Sequence, residues 1–484
     1  MNGELPEGWV WTSLEMIVSS ISNGITEKQN KERLGIPVTR IETISNGTIN
    51  MDRVGYLQNL DNILVEKYKL SIGDILFSNI NSDFHLGKTA IFEIHNEVVL
   101  HGMNLLRIKP IMDYVSSQFL NYLFNYYRYS GVFISIAQHA VNQSSINQTK
   151  LKNLEVPLPP LAEQQRIVNK IEELFTNLDK GVESLNEVKS KLKTYRQAIL
   201  KYAIEGKLTE KWREKNKNRV ESEILQLVKS LEEKQKILTD GNSNDLEDTC
   251  SPTSWVRLRL TELTKTINPG FPCGRHNNEG RGVLHVRPMN IDREGRINLV
   301  NTKYVETNIY DSLSKGDILF NNTNSSELVG KTTYIESDTN WAYSNHMTRI
   351  RINNPLINNK WISTYLHFLF LSGYFGGICI HHVNQSSVSS RVLSEKIPIP
   401  IPSISEQNFI LQNIDQYFSI VNKEFETINC LLEQSKTLRQ SILKKAFEGK
   451  LVPQYPNEES TEILIEKIKK QKSNKEKLIQ EKMI

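Results

Sequence analysis

The sequence predicts an α/β (α+β) chain made twice over. Two mixed domains stand in tandem, each followed by a long helix, and the helices form an antiparallel coiled coil about an approximate two-fold axis. Three observations lead there. Short strand-like runs and turn clusters of the first third recur in the same order in the second half. Two stretches have apolar residues at alternating three- and four-residue steps, which keeps a seam on one side of a helix. Their ends nearly coincide: Arg196–Leu208 and Arg439–Leu451 are identical at ten of thirteen positions. The expected boundaries are 1–159, domain; 160–207, helix; 208–250, linker with a short amphipathic helix; 251–402, domain; 403–450, helix; and 451–484, helical and charged tail.

In the first domain Ile36–Ile41 reads as a strand and Asn46-Gly47 as a tight turn. Leu70–Phe77 is a turn leading into a buried strand, followed by a polar loop that ends at Gly87-Lys88-Thr89. Leu105–Ile108 is a further strand, and residues 114–129 have helical spacing with many aromatics. The second domain repeats the landmarks. Trp9 finds Trp255, Ser71-x-Gly73-Asp74 finds Ser314-x-Gly316-Asp317, and Gly87-Lys88-Thr89 finds Gly330-Lys331-Thr332. Val141–Ser145 finds Val383–Ser387, and Pro159-x-x-x-Glu163-Gln164 finds Pro402-x-x-x-Glu406-Gln407. Between these anchors the copies differ almost everywhere, which implies one scaffold with two surfaces.

The expected seam is Ile171, Leu174, Leu178, Leu185, Val188, Leu192 and Ile199 in the first helix, with Gly181 as a break. In the second it is Ile414, Val421, Ile428, Leu431, Leu438 and Ile442, with Glu424 and Ser435 as breaks. Prolines precede both helices and glycines (Gly206, Gly449) end them. A helix of about 45 residues rises about 67 Å and must bury its seam. The copy is the obvious partner. Antiparallel pairing places the domains at opposite ends, a symmetry that duplex DNA shares. A short amphipathic helix is expected at Glu223–Lys236 and again at Glu462–Lys470, and Lys469–Lys482 has the composition of a fraying end.

Net charge is +4, with 13 basic and 15 acidic side chains in residues 1–155 and 16 and 11 in residues 250–400. No basic stripe argues for nucleic acid on electrostatics alone. Four scattered cysteines without C-x-x-C read as reduced thiols of a cytosolic protein, with no metal site. No apolar run approaches a membrane span, and Met1–Val10 lacks the pattern of a signal peptide.

The proline-rich helix start with Glu-Gln and the Arg-Gln-x-Ile-Leu-Lys-x-Ala-x-Glu-Gly-Lys-Leu helix end occur twice, around two dissimilar domains. This arrangement resembles the specificity (S) subunit of type I restriction–modification systems. The resemblance implies a cytoplasmic, non-catalytic DNA-reading subunit with a target recognition domain for each half of a bipartite, asymmetric site. It implies that the helical pair fixes the spacer and docks two methyltransferase (M) subunits. Adenine-N6 methylation would use S-adenosylmethionine, and motor–nuclease (R) subunits would use ATP and magnesium; this chain itself would bind no cofactor. The absence of methyltransferase and Gly-x-x-x-x-Gly-Lys-Ser/Thr motifs agrees. A two-subunit system with a fused methyltransferase–nuclease, and a coiled-coil adaptor that never touches DNA, are the rival readings.

Candidate DNA contacts fall in matching loops. After the buried strands come Asn79, Asn81, Ser82, His85 and Lys88, and then Asn321, Asn322, Asn324, Ser325 and Lys331. Asn pairs with adenine edges and Lys meets phosphate, though Asn and Ser also simply build turns. The second loops hold Gln138, His139, Asn142, Gln143 and Ser144, and His381, His382, Asn384, Gln385 and Ser386. Val-Asn-Gln-Ser-Ser is common to both, so phosphate or scaffold roles suit it better than discrimination. For Arg40 and Arg287, DNA contact and a structural ion pair are equally open. The tyrosines of 114–129 suit a core better than base stacking.

Overall fold

A computed structural model describes residues 5–30, 32–45, 47–141, 143–232, 251–308, 310–383 and 385–483. Asn46, Asn142, Asn384 and the end of the linker, 233–250, lie outside the described residues. The chain divides into two units, Met1–Asn186 with Asn429–Ile484, and Glu187–Ile428.

In the first unit a four-stranded antiparallel sheet runs in the order Val18–Asn23, Leu106–Pro110, Ile75–Phe77, Thr89–Ile91. Asp74 accepts from the Ser71 backbone N–H at 3.0 Å, and Gly73 sits at φ +86°, so Ser-x-Gly-Asp is a locked turn ahead of the central strand. The helix Ser117–Tyr129 covers the sheet through Phe119, Leu123, Phe124 and Tyr127. Its aromatic load is therefore mainly core, and the Tyr127 hydroxyl donates to the Glu155 carbonyl at 2.7 Å.

Strand Val10–Ser13 pairs with Glu155–Leu158, which brings the domain's ends together where the helix Leu161–Ile204 begins. The repeated Glu-Gln is a joint between domain and helix. Trp9 donates its indole N–H to buried Glu163 at 3.1 Å. Buried Gln164 accepts from the Ser116 N–H at 2.9 Å and donates to the Pro159 carbonyl at 3.1 Å.

The same unit contains the end of the second long helix, Ile404–Phe447. Phe447 stacks on Tyr126 at 5.6 Å and meets Phe119 edge-on at 5.4 Å, while Arg439 lies 4.6 Å over Phe175 and pairs with Asp179. The beginning of one helix thus packs beside the end of the other, so the pairing is antiparallel. The helix Thr461–Met483 adds Leu464 and Ile468 to this core, beside Leu14 and Ile17. The segment expected to fray, Lys469–Lys482, continues that helix instead. Its lysines and glutamates are good helix formers, and the buried first turns supply the nucleus.

The second unit repeats the plan. Its sheet runs Thr264–Pro269, Met347–Ile352, Ile318–Asn321, Thr332–Tyr334, with Asn359–Leu371 as the covering helix. Trp255 donates to Glu406 at 3.0 Å, and Gln407 accepts from the Asn358 N–H at 2.7 Å. Glu406 also takes the Thr209 hydroxyl at 2.6 Å and Arg213 at 3.2 Å, and burial raises its carboxyl above the usual range. Arg196 lies 4.1 Å over Phe418 and donates to Asn422 at 3.2 Å, the counterpart of the Arg439 contacts. The helix Lys217–Glu232 contributes Leu227 and Leu231.

The expected seam needs correction in alternate positions. The buried or half-buried line in the first helix is Ile171, Phe175, Leu178, Val182, Leu185, Lys189, Leu192, Arg196, Ile199 and Ala203. In the second it is Ile414, Phe418, Val421, Phe425, Ile428, Leu432, Ser435, Arg439, Ile442 and Ala446. Val188, Leu431 and Leu438 are exposed. Leu174 is half-buried against the first domain rather than on this line. At Val188, Leu431 and Leu438 an apolar residue beside the true position attracts the pattern, whereas the helix turns Lys189 and Arg439 inward, as a long cationic side chain allows. Gly181 and Glu424 then cease to be breaks, because both face solvent.

Candidate nucleic-acid interface

Loop 78–88 leaves the central strand and closes on itself. The Ser78 N–H donates to the Lys88 carbonyl at 2.8 Å, and the Gly87 N–H to the Ser78 carbonyl at 2.9 Å. Gly87 (φ +75°) and Gly330 (φ +96°) each have a phenylalanine ring, Phe133 or Phe375, 2.3 Å from where a Cβ would stand. The repeated Gly-Lys-Thr is thus a packing device.

Its lysines turn inward. Lys88 donates to the Ser45 carbonyl at 2.9 Å. Lys331, only 5% exposed, donates to the carbonyls of Pro288 (2.8 Å) and Ile291, and burial lowers its ammonium below the usual lysine range. The expectation of a phosphate contact is corrected for Lys331: desolvation of the ammonium is offset by buried carbonyls, not by a phosphate. Lys331→Ala is accordingly expected to cost about 1–3 kcal/mol of stability by leaving acceptors unpaired. Base preference and salt dependence should stay as they are. Thermal unfolding and competition binding check this, and a weakened affinity at unchanged Tm would contradict it.

Other candidates also prove to be internal. Asn321 is fully buried and donates to the Leu328 carbonyl at 3.0 Å. Asn322 is buried and donates to the Asn345 carbonyl at 3.1 Å and the Thr348 hydroxyl at 2.8 Å. Both NH2 groups are engaged within the fold at buried positions, which corrects their reading as base contacts. Asn79, half-buried, donates to the Ile146 carbonyl at 3.4 Å. Both arginines make local contacts. Arg40 pairs with Glu42 at 3.0 Å, and Arg287 donates to the Asn301 carbonyl at 2.9 Å. His85 is half-buried, and burial together with Lys88 and Arg128 holds its pKa below the usual value.

The two candidate loops of each domain meet in one small sheet. In the first, Ile80–Asn81, Gln143–Ser145 and Gln138–Ala140 are neighbours, with Asn81 opposite Ser144 and Ser144 opposite His139. In the second, Thr323–Asn324, Ser386–Ser387 and Ile380–His381 repeat it, with Asn324 opposite Ser386 and Ser386 opposite His381. Asn81 and Asn324 each accept from the next residue's N–H at 2.9 Å, which fixes the turn and exposes Ser82 and Ser325.

Ser144 and Ser386 are buried, and each bonds a histidine Nδ1, His139 at 2.8 Å and His381 at 3.0 Å. His382 reaches the Ser387 hydroxyl at 3.0 Å. The surface that remains is Gln138, His139 and Gln143 in one domain and His381, His382 and Gln385 in the other. The sequence reading missed Phe84 (78% exposed) beside it, and the tips Val141 (92%) and Val383 (98%). It also missed Asp83, which pairs with Ser144 and His139. An acid in an otherwise neutral polar loop was the available signal.

Fold and interface define a duplicated protein that displays the same small sheet twice with different exposed side chains. The model of the type I restriction modification DNA specificity domain matches residues 6–193 and 254–433. The chain belongs to this family of DNA specificity subunits. It is 32% identical over 469 residues to a putative type I restriction enzyme MjaX specificity subunit of Methanocaldococcus jannaschii, covering 93% of this chain and 95% of that one. It is 24% identical to the EcoKI specificity subunit of Escherichia coli K12, covering 97% of each. A chain solved in work on complex assembly and conformational transition of the type I R-M system superposes with a TM-score of 0.65 at 18% identity, covering 93% of this chain and all of that one. The HsdS subunit from Thermoanaerobacter tengcongensis gives 0.52 at 18% identity, covering 93% and 99%. These two share the fold. No helix among the described residues is long and apolar enough to cross a membrane, and none of their His, Cys, Asp and Glu side chains gather in threes as a metal site would need.

Proposed function

We propose that each of the two small sheets docks in the major groove and reads one half of a bipartite, asymmetric DNA site, in a chain that performs no catalysis of its own. The observation that carries this reading is the pairing of a repeated frame with unrepeated surface groups: Ser144 and Ser386 are constant and buried, while Ile380 and His382 of the second sheet stand where the first has Gln138 and Ala140. Sequence is read by such edge-facing amides and imidazoles, and phosphate contacts fix only position. With Lys88 turned inward and an acidic balance, the first domain leaves much of the phosphate contact to partners. Two methyltransferase subunits, docked on the paired helices, would contribute it along with S-adenosylmethionine-dependent adenine-N6 methylation. A motor–nuclease subunit would supply ATP- and magnesium-dependent cleavage.

Reconstitution with the methyltransferase subunits tests this. Gel shift on a randomised duplex pool is expected to enrich one motif with two unlike halves and a fixed gap. Binding without enrichment, or none at all, would favour a protein adaptor.

A further inference from the structure

We propose that Asp83 and His139 fix one base choice of the first domain, with His139 Nε2 accepting a hydrogen bond from the exocyclic amino group of adenine or cytosine. The inference rests on the DNA-reading function proposed above. The Ser144 hydroxyl has a single proton and donates it to Asp83 Oδ1, and an ionised carboxylate can only accept. The 2.8 Å bond between Ser144 Oγ and His139 Nδ1 must then take its proton from the imidazole. Nδ1 also lies 3.4 Å from the same carboxylate oxygen, which holds a proton there. In the neutral ring the lone pair is left on Nε2, and no contact among the described residues engages that atom. The ring is half exposed, at 53%, on a strand that faces outward. An open acceptor of this kind matches the major-groove amino donors of adenine and cytosine and mismatches the acceptor edges of guanine and thymine. It also gives a reason for a carboxylate on a surface that meets DNA: Asp83 acts on the ring rather than on the duplex.

The second domain reverses each step. Ser326 stands where the first has Asp83, in Asn324-Ser325-Ser326 against Asn81-Ser82-Asp83. The Cys379 thiol donates to the Gly376 carbonyl at 3.2 Å, and its sulfur lies 4.0 Å from His381 Nε2. With no carboxylate at position 326 to take it, the Ser386 proton is free for His381 Nδ1, 3.0 Å away, which leaves Nε2 as the donor. Equivalent histidines on the same frame thus carry opposite tautomers, and the first alone offers a free acceptor.

The test uses the full chain in complex with its methyltransferase subunits, with the motif read by selection from randomised duplex DNA and by mapping methylated sites. In Asp83→Ala the Ser144 proton is free to reach His139 Nδ1, and Nε2 becomes a donor. At one position of the first half-site the preference for adenine or cytosine is expected to fall roughly tenfold, with guanine or thymine admitted and every other position unchanged. His139→Arg, a donor only, should invert that same position. Ser326→Asp should alter one position of the second half-site and none of the first. An unchanged motif in Asp83→Ala, a change in the second half-site, or a uniform loss of binding to all sequences would overturn the assignment while leaving DNA reading intact. A wild-type complex that selects no motif would instead overturn DNA reading, and the assignment with it.

Discussion

Replacing the first recognition domain by that of another specificity subunit is expected to change one half of the methylated motif and leave the other half and the gap as they were. Each altered position should shift discrimination by about 1–3 kcal/mol, roughly 5- to 150-fold. The physical ground is that the two small sheets lie in separate units, each with its own core. The structure also dictates where to cut. Residues 1–159 are not a self-sufficient piece, because Ile442, Leu443, Ala446 and Phe447 of the second helix and Leu464 and Ile468 of the last one complete their core. A graft that ignores Phe119 and Tyr126, the partners of Phe447, forfeits a contact whose loss costs about 3–5 kcal/mol. The exchange should therefore keep Trp9, Leu14, Ile17, Phe119 and Tyr126 as they stand. Mapping methylated sites gives the answer, and alteration of both halves would refute separable reading.

The duplication, the long helices and their antiparallel sense were legible because each rests on many residues at once. Repeated landmarks and a helix-period seam survive single exceptions. The exact seam was not legible, since apolar character picks Val188 where helix geometry picks Lys189, and Leu438 where it picks Arg439. Choosing between such neighbours needs the phase of a real helix, in which a long cationic stem packs as well as a leucine. The candidate loops were found as sequence neighbourhoods, but their union in one sheet depends on a pairing between Asn81 and Ser144 that no local pattern announces. Lys331 shows the opposite failure. Its residue type and loop position suit phosphate, and only tertiary burial reveals the two carbonyls it serves. Asp83 was not among the candidates, since its action through Ser144 depends on a contact between residues 61 positions apart.

A second large effect is expected from lengthening the helices. Seven residues inserted into each, at the points where the chain passes between units (after Asn186 and after Ile428), should widen the gap between half-sites by about three base pairs. The arithmetic is a rise of about 1.5 Å per residue, or about 10 Å, against 3.4 Å per base pair. Seven is chosen because the buried line steps by four and three, so Phe175, Val182 and Arg196, like Phe418, Phe425 and Arg439, keep their faces. Four residues would turn the later part of each helix by about 40° against the seam, a local unwinding that seven avoid. Both half-sites should remain unchanged, because neither small sheet is touched. The longer gap also turns the duplex, so affinity for the new site should fall even where its sequence is right. Methylation of duplexes with graded gaps measures both effects. A gap that stays fixed with helices lengthened by two turns would mean that something other than these helices sets the distance.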